Sequence, residues 1–98
     1  MSPLDHRNID EVIHGRSRLA IMSFLYGAKQ SDFVELKKVL ELTDGNLGAQ
    51  LKKLESKGYV KLIKGYLGRK TQMTITMTEE GRFAMQNYLK TMQALLDQ

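Results

Sequence analysis

The sequence predicts a small, mainly α-helical domain that carries one β-hairpin. Apolar residues recur at helical spacing in three successive stretches between Ile9 and Lys57. After Gly58 the period drops to two, in runs rich in β-branched and aromatic residues. Helical spacing returns behind Thr78. Ninety-eight residues suffice for one compact domain spanning 1–98, not two. With 42% hydrophobic and 27% charged residues, the composition is that of an ordinary folded chain.

The first helix is expected from about Ile9 to Tyr26, closed by Gly27 and open to a break at Gly15. From Leu19 onward its apolar residues lie almost all round, as in a buried central helix. Asp32 opens the second helix and, with Glu35, fits a capping box. Phe33, Leu36, Val39 and Leu40 supply one apolar face over 32–41. Thr43 suits the N-cap of a third helix, 44–57, with Asp44 in its first turn. Leu47, Leu51 and Leu54 form its stripe, and Gly58 its stop.

A two-residue turn at Gly68-Arg69 fixes a testable register for the hairpin, glycine first suiting the II′ geometry. Leu62 then faces Ile75, Val60 faces Met77 and Lys61 faces Thr76. Apolar meets apolar on one face and polar meets polar on the other, as a half-buried hairpin requires. Two strands alone make no independent core, so they must pack on the helices. Thr78 caps the last helix, along which Met85, Tyr88, Leu89, Met92, Leu95 and Leu96 form an apolar stripe.

Several function classes are excluded at once. No cysteine is present, which removes disulfides, thiolate zinc sites and thiol catalysis together. No run approaches membrane-spanning length, and Met1 to Asp10 is polar rather than signal-like, so a cytoplasmic protein without membrane association is expected. No nucleophile with a neighbouring base, phosphate-cradling loop or paired carboxylate points to an enzyme, and no cofactor is expected. His6, Asp10 and His14 would line one face if the N-terminus were a single helix. That metal reading lacks a fourth ligand, and an ordinary polar face is the better one.

The net charge of +4 is unevenly spread. Between Thr43 and Lys70 seven basic residues stand against two acidic ones, so +5 sits within 28 residues and the other 70 carry −1. A polyanion fits such a field, as does a solvated lysine-rich face. The helix pair 32–41 and 44–57 has helix-turn-helix proportions. If the leucine stripe of the second helix is buried, Gly45, Asn46, Ala49, Lys52 and Lys53 point outward, with Gln50 at the border. Asn and Gln can read adenine edges and Lys guanine or phosphate, so this face suits a major groove. The hairpin tip adds Lys64, Arg69 and Lys70 beside Tyr66, and a narrow minor groove attracts an inserted Arg.

Leu42-Thr43-Asp44-Gly45-Asn46-Leu47, Leu51-Lys52-Lys53-Leu54-Glu55 and Gly58-Tyr59-Val60 together resemble the MarR/ArsR-type winged helix-turn-helix regulators. So do Arg18-Leu19-Ala20-Ile21, Gly68-Arg69-Lys70 and Met77-Thr78-Glu79-Glu80-Gly81-Arg82. The resemblance spans about residues 12–96 and is nearest to the stand-alone prokaryotic members of roughly this length. It implies a sequence-specific double-stranded DNA-binding transcriptional regulator, with helix 44–57 in the major groove and wing 64–71 at the minor groove. The expected DNA contacts are Thr43, Gly45, Asn46, Ala49, Gln50, Lys52, Lys53, Lys64, Arg69 and Lys70. It further implies a homodimer through terminal helices (about 1–15 and 79–98), and the apolar surface of Met85, Tyr88, Leu89, Met92, Leu95 and Leu96, more than a small core can cover, places these residues at the expected interface. A small-molecule effector pocket is typical of the family, though no residue identifies its ligand. Gly48 and Gln50 stand where many relatives have serine and histidine, so base preference does not carry over. The alternative is a winged helix that binds protein or RNA instead.

Overall fold

The computed structural model describes residues 5–97. A single 3₁₀ turn at His6–Asn8 precedes α1 (Arg16–Ala28), β1 (Gln30–Asp32), α2 (Phe33–Leu40), α3 (Asp44–Ser56), β2 (Val60–Leu67), β3 (Lys70–Met77) and α4 (Glu79–Leu96). Both hairpin strands pair in the expected register, Val60 with Met77, Lys61 with Thr76 and Leu62 with Ile75. Gly68 has φ +66 while Arg69 keeps a negative φ, the one-positive pattern of a II′ turn. Among the described residues, no helix is long and apolar enough to cross a membrane.

Three expectations at the N-terminal end need correction. The chain from Ile9 to Gly15 is not helical, and α1 begins only at Arg16, with Gly15 as its N-cap. The Asp10 carboxylate accepts the N–H groups of Val12 and Ile13, and its carbonyl accepts the His14 N–H at 2.9 Å, closing a single turn that goes no further than His14. Gly27 does not end α1 either. The helix runs on to Ala28 and stops at Lys29, whose φ is +73. The Lys29 carbonyl accepts the Met77 N–H at 3.0 Å, so pairing with β3 sets the point of reversal. That pairing creates the third correction, a strand: β1 adds to the free edge of β3, giving a three-stranded antiparallel sheet in the order β1-β3-β2.

The helix starts follow their caps. Asp32 accepts from the Glu35 N–H at 2.8 Å, Thr43 from Asn46 at 3.1 Å and Thr78 from Gly81 at 2.9 Å. The Glu35 carboxylate takes the Ser31 hydroxyl at 2.7 Å, so the capping box is only half formed. Ile13, Ile21, Met22, Leu25, Leu36, Leu47, Leu51, Leu54 and Ile75 are fully buried and join α1, α2, α3 and the sheet in one core. Met22, Met77 and Met85 fill that core.

Candidate nucleic-acid interface

Helix α3 is held from beneath and offered from above. Leu47, Leu51 and Leu54 are buried, which fixes its rotation about its own axis. Lys37 of α2 meets Asp44 at 2.9 Å across the connecting turn, where Glu41 takes a left-handed φ of +53. On the opposite side Gly45, Asn46, Ala49, Lys52 and Lys53 are all exposed, as the stripe requires, and Gln50 is half-buried. Thr43 is exposed as well, with its hydroxyl oxygen serving as the cap acceptor.

The glycines of this helix have no structural reason to be glycine. A Cβ at Gly45 or Gly48 would meet nothing within 4 Å. Gly48 costs the helix interior about 1 kcal/mol relative to alanine and Gly45, in the first turn, less, and no packing contact offsets either. What Gly45 supplies is an exposed bare backbone next to Asn46, while Gly48 is half-buried beside Ala49.

A residue that sequence reasoning did not place in the site lies behind this face. The Arg18 guanidinium, half-buried at the start of α1, donates from Nε to the Val12 carbonyl. From Nη1 it donates to Gln50 Oε1 at 2.7 Å. Gln50 Nε2 in turn donates to Asn46 Oδ1 at 3.0 Å. The signal was Arg18 in the polar helix start Arg16-Ser17-Arg18, which alone does not reveal its partner.

The hairpin tip forms the second element. Lys64, Tyr66, Leu67, Gly68, Arg69 and Lys70 are all exposed there, Tyr66 at 79% and Leu67 at 70%. Helix-turn-helix, hairpin and following helix together match a family model of the winged helix DNA-binding domain over residues 17–96. The chain belongs to this family. It is 42% identical over 72 residues to an uncharacterized protein of Methanocaldococcus jannaschii, covering 74% of this chain and 78% of that one. The structure of a transcriptional regulator homologue from Pyrococcus horikoshii is similar at a TM-score of 0.89 and 29% identity, over 99% of this chain and 96% of that one. Overoxidized AbfR, solved bound to DNA, shares the fold at a TM-score of 0.72 and 21% identity, over 93% of this chain and 64% of that one. The winged helix class expected from the sequence is the one found.

In this winged helix the last helix divides its expected interface residues. Met85 and Tyr88 are buried in the chain's own core, so their surface is already spent. Leu89 and Leu96 are exposed, and Met92 and Leu95 half-buried. Phe83, 64% exposed, is an apolar surface residue that the stripe did not include. It overlooks a cleft of about 850 Å³ between α4 and the segment before Gly15, lined also by Asp10, Lys57, Tyr59 and Asn87. There the Tyr59 hydroxyl donates to Asp10. Burial, then the Asp10 carboxylate, push the Tyr59 phenol far above its ordinary value. His14 Nδ1 lies 2.8 Å from the Tyr88 hydroxyl. The metal reading of His6, Asp10 and His14 fails with the helix it assumed, and among the described residues no group of three such ligands assembles. Of the terminal segment expected at the dimer interface, residues 1–4 and Gln98 lie outside the described residues.

Proposed function

We propose that this winged helix protein is a sequence-specific double-stranded DNA-binding transcriptional regulator and not an enzyme, with α3 in the major groove and the wing at the minor groove. One observation carries the reading: the exposed face of α3 combines Gly45, which packing does not need, with Asn46, Ala49, Lys52 and Lys53, and the half-buried Gly48 that borders it needs no glycine for packing either. A helix that must enter a groove gains from a bare backbone, an amide that reads base edges and lysines that meet phosphate. An ordinary solvated helix gains nothing from the glycines. The DNA-bound AbfR of the same fold adds support.

The regulator acts as a two-fold homodimer. Met92 packs against the edge of the core, and Leu89, Leu95 and Leu96 leave apolar surface beside and beyond it on α4. The radius of gyration is 14.7 Å, against about 13 Å for a compact chain of this length. A second copy laid along α4 would cover that surface. Two reading helices would then meet half-sites about 10 bp apart.

Selection of bound duplexes from a random-sequence pool tests both statements. The expected product is an inverted repeat, bound with an affinity that falls steeply as salt rises. An unenriched pool and salt-insensitive binding would overturn the DNA reading in favour of a protein-binding module. Sedimentation as a monomer of 11.2 kDa at micromolar concentration would remove the dimer and the inverted repeat.

A further inference from the structure

The amides on the reading face of α3 are not free to choose which way they point. Asn46 and Gln50 stand four residues apart, one turn of helix, and are joined by a hydrogen bond of 3.0 Å. An amide pair of this kind can bond in either polarity, because each side chain carries an oxygen acceptor and an NH₂ donor. Left alone, the pair would exchange between two arrangements that present opposite patterns to a base edge. Arg18 removes that freedom. A guanidinium has donors only, so the atom of Gln50 that meets Nη1 at 2.7 Å must be the oxygen. The Gln50 NH₂ then has to face Asn46, and Asn46 must turn its oxygen toward Gln50. One lone pair of that oxygen and both hydrogens of the Asn46 NH₂ are left for another molecule.

Arg18 is itself fixed. Its Nε donates to the Val12 carbonyl in the non-helical segment before α1. Gly15 leaves the space in which the guanidinium lies: a Cβ there would fall 2.6 Å from Nη2 and 2.7 Å from Cζ. Gly15 has an extended backbone (φ −132) that any residue can adopt. Its lack of a side chain therefore serves the guanidinium and not the turn.

We propose that Arg18 is a positioning residue for sequence readout: acting through Gln50, and seated by Gly15, it sets the donor–acceptor polarity that Asn46 presents to a base edge. The inference rests on the reading of α3 as the helix that meets DNA, and it makes Gln50 a spacer in the network more than a reader of bases.

The test has two arms on the full chain. In the free protein, the side-chain NH₂ resonances of Gln50 and Asn46 are followed by ¹⁵N NMR in wild type, Arg18→Met and Gly15→Ala. Both amide pairs are expected to shift in both variants, although Arg18 touches only one of them. An Asn46 pair that keeps its wild-type position would overturn the relay. In the second arm, duplexes selected by wild type from a random pool are compared with the same duplexes changed at the base pair that Asn46→Ala no longer distinguishes. Discrimination there, expected at about ten-fold in wild type, should collapse toward unity in Arg18→Met. Adding Arg18→Met to Asn46→Ala should change it no further, since residues acting as one unit are not additive. Independent, additive losses would leave Arg18 a structural residue and overturn the proposal. Gly15→Ala should behave like Arg18→Met, and it decides the matter if Arg18→Met does not fold. Failure of wild type to select any duplex would instead refute the DNA reading, while the resonances of the free protein still decide the relay.

Discussion

Gly81→Ala puts a sign to the test, because helix propensity and packing demand opposite outcomes. Gly81 is the third residue of α4, and propensity alone predicts that alanine stabilises such a position by about 1 kcal/mol. An alanine Cβ, however, would lie 2.1 Å from the carbonyl oxygen of Tyr59, 2.9 Å from its carbonyl carbon and 3.1 Å from its Cα. Ordinary contact would need a separation more than about 1 Å greater. That movement is resisted by three hydrogen bonds at the same junction. Thr78 N–H donates to the Tyr59 carbonyl at 3.1 Å, the Thr78 hydroxyl donates to the Gly58 carbonyl at 2.6 Å, and Gly81 N–H donates to the Thr78 hydroxyl oxygen at 2.9 Å. Overpacking costs about 1–3 kcal/mol against yielding side chains, and here the obstacle is backbone. Stretching one or two of the bonds adds roughly 1 kcal/mol each. After the propensity gain, the expected net loss is about 2–4 kcal/mol, or at least about 10 °C in Tm for a domain of this size. Thermal unfolding followed by circular dichroism at matched protein concentration measures it. A Tm equal to or above wild type would refute the close approach of α4 to the start of β2.

Four further outcomes are expected. Gly45→Ala has open space and should raise Tm by the equivalent of about 0.5–1 kcal/mol while weakening duplex binding; a stabilised variant with undiminished affinity would end the close-approach argument. Lys52→Glu with Lys53→Glu should keep the circular dichroism of wild type and abolish duplex binding at moderate salt, whereas neutral replacement by Gln should shrink the slope of log affinity against log salt by about 2 per protomer. Arg69→Ala should leave Tm unchanged and reduce preference for A·T-rich flanks, a result that selection profiles read directly. Tyr59→Phe concerns alkaline pH. The phenol is raised above its ordinary value near 10 by burial and then by Asp10, so the folded chain holds this proton after the unfolded chain has lost it. Its contribution is therefore complete below about pH 10 and is lost above it, and the fall of stability there should be shallower in Tyr59→Phe than in wild type.

The parts legible in the sequence were those governed by a repeating pattern. One glycine-first turn fixed a register, and alternation agreed with it, Leu62 facing Ile75 and Val60 facing Met77. The leucine stripe of α3 likewise determined its outward face. What escaped was decided by partners distant in sequence. Gln30-Ser31-Asp32 has no strand propensity and is a strand only because β3 has a free edge to pair with. Ile9, Val12 and Ile13 are spaced as in a helix, yet the turn capped by Asp10 closes at His14 and α1 starts anew at Arg16. On α4, Met85 and Tyr88 share a stripe with Met92 and Leu96, and periodicity cannot tell where the core ends and free surface begins. Arg18 was visible only as part of a motif, because its role depends on a bond across 32 residues to Gln50.

Two of these missed features, the turn in place of a helix and the role of Arg18, meet at the irregular segment from Ile9 to Gly15. An apolar stripe can fix the depth and rotation of α3, but dispersion forces are blind to which end of an amide is oxygen. Polarity must be set by groups that only donate or only accept, and such groups must themselves be held. The Asp10 carboxylate, an acceptor only, gathers the Tyr59 hydroxyl and two backbone N–H groups. The turn so formed aims the Val12 carbonyl at Arg18 Nε. Arg18, a donor only, passes a defined polarity to Gln50 and Asn46. A regular helix through these residues would have spent the Val12 carbonyl on its own ladder, leaving Arg18 with one anchor instead of two. The segment thus gives up helical hydrogen bonds and in return holds the start of β2, the start of α1 and the outward amides of α3 in one fixed relation.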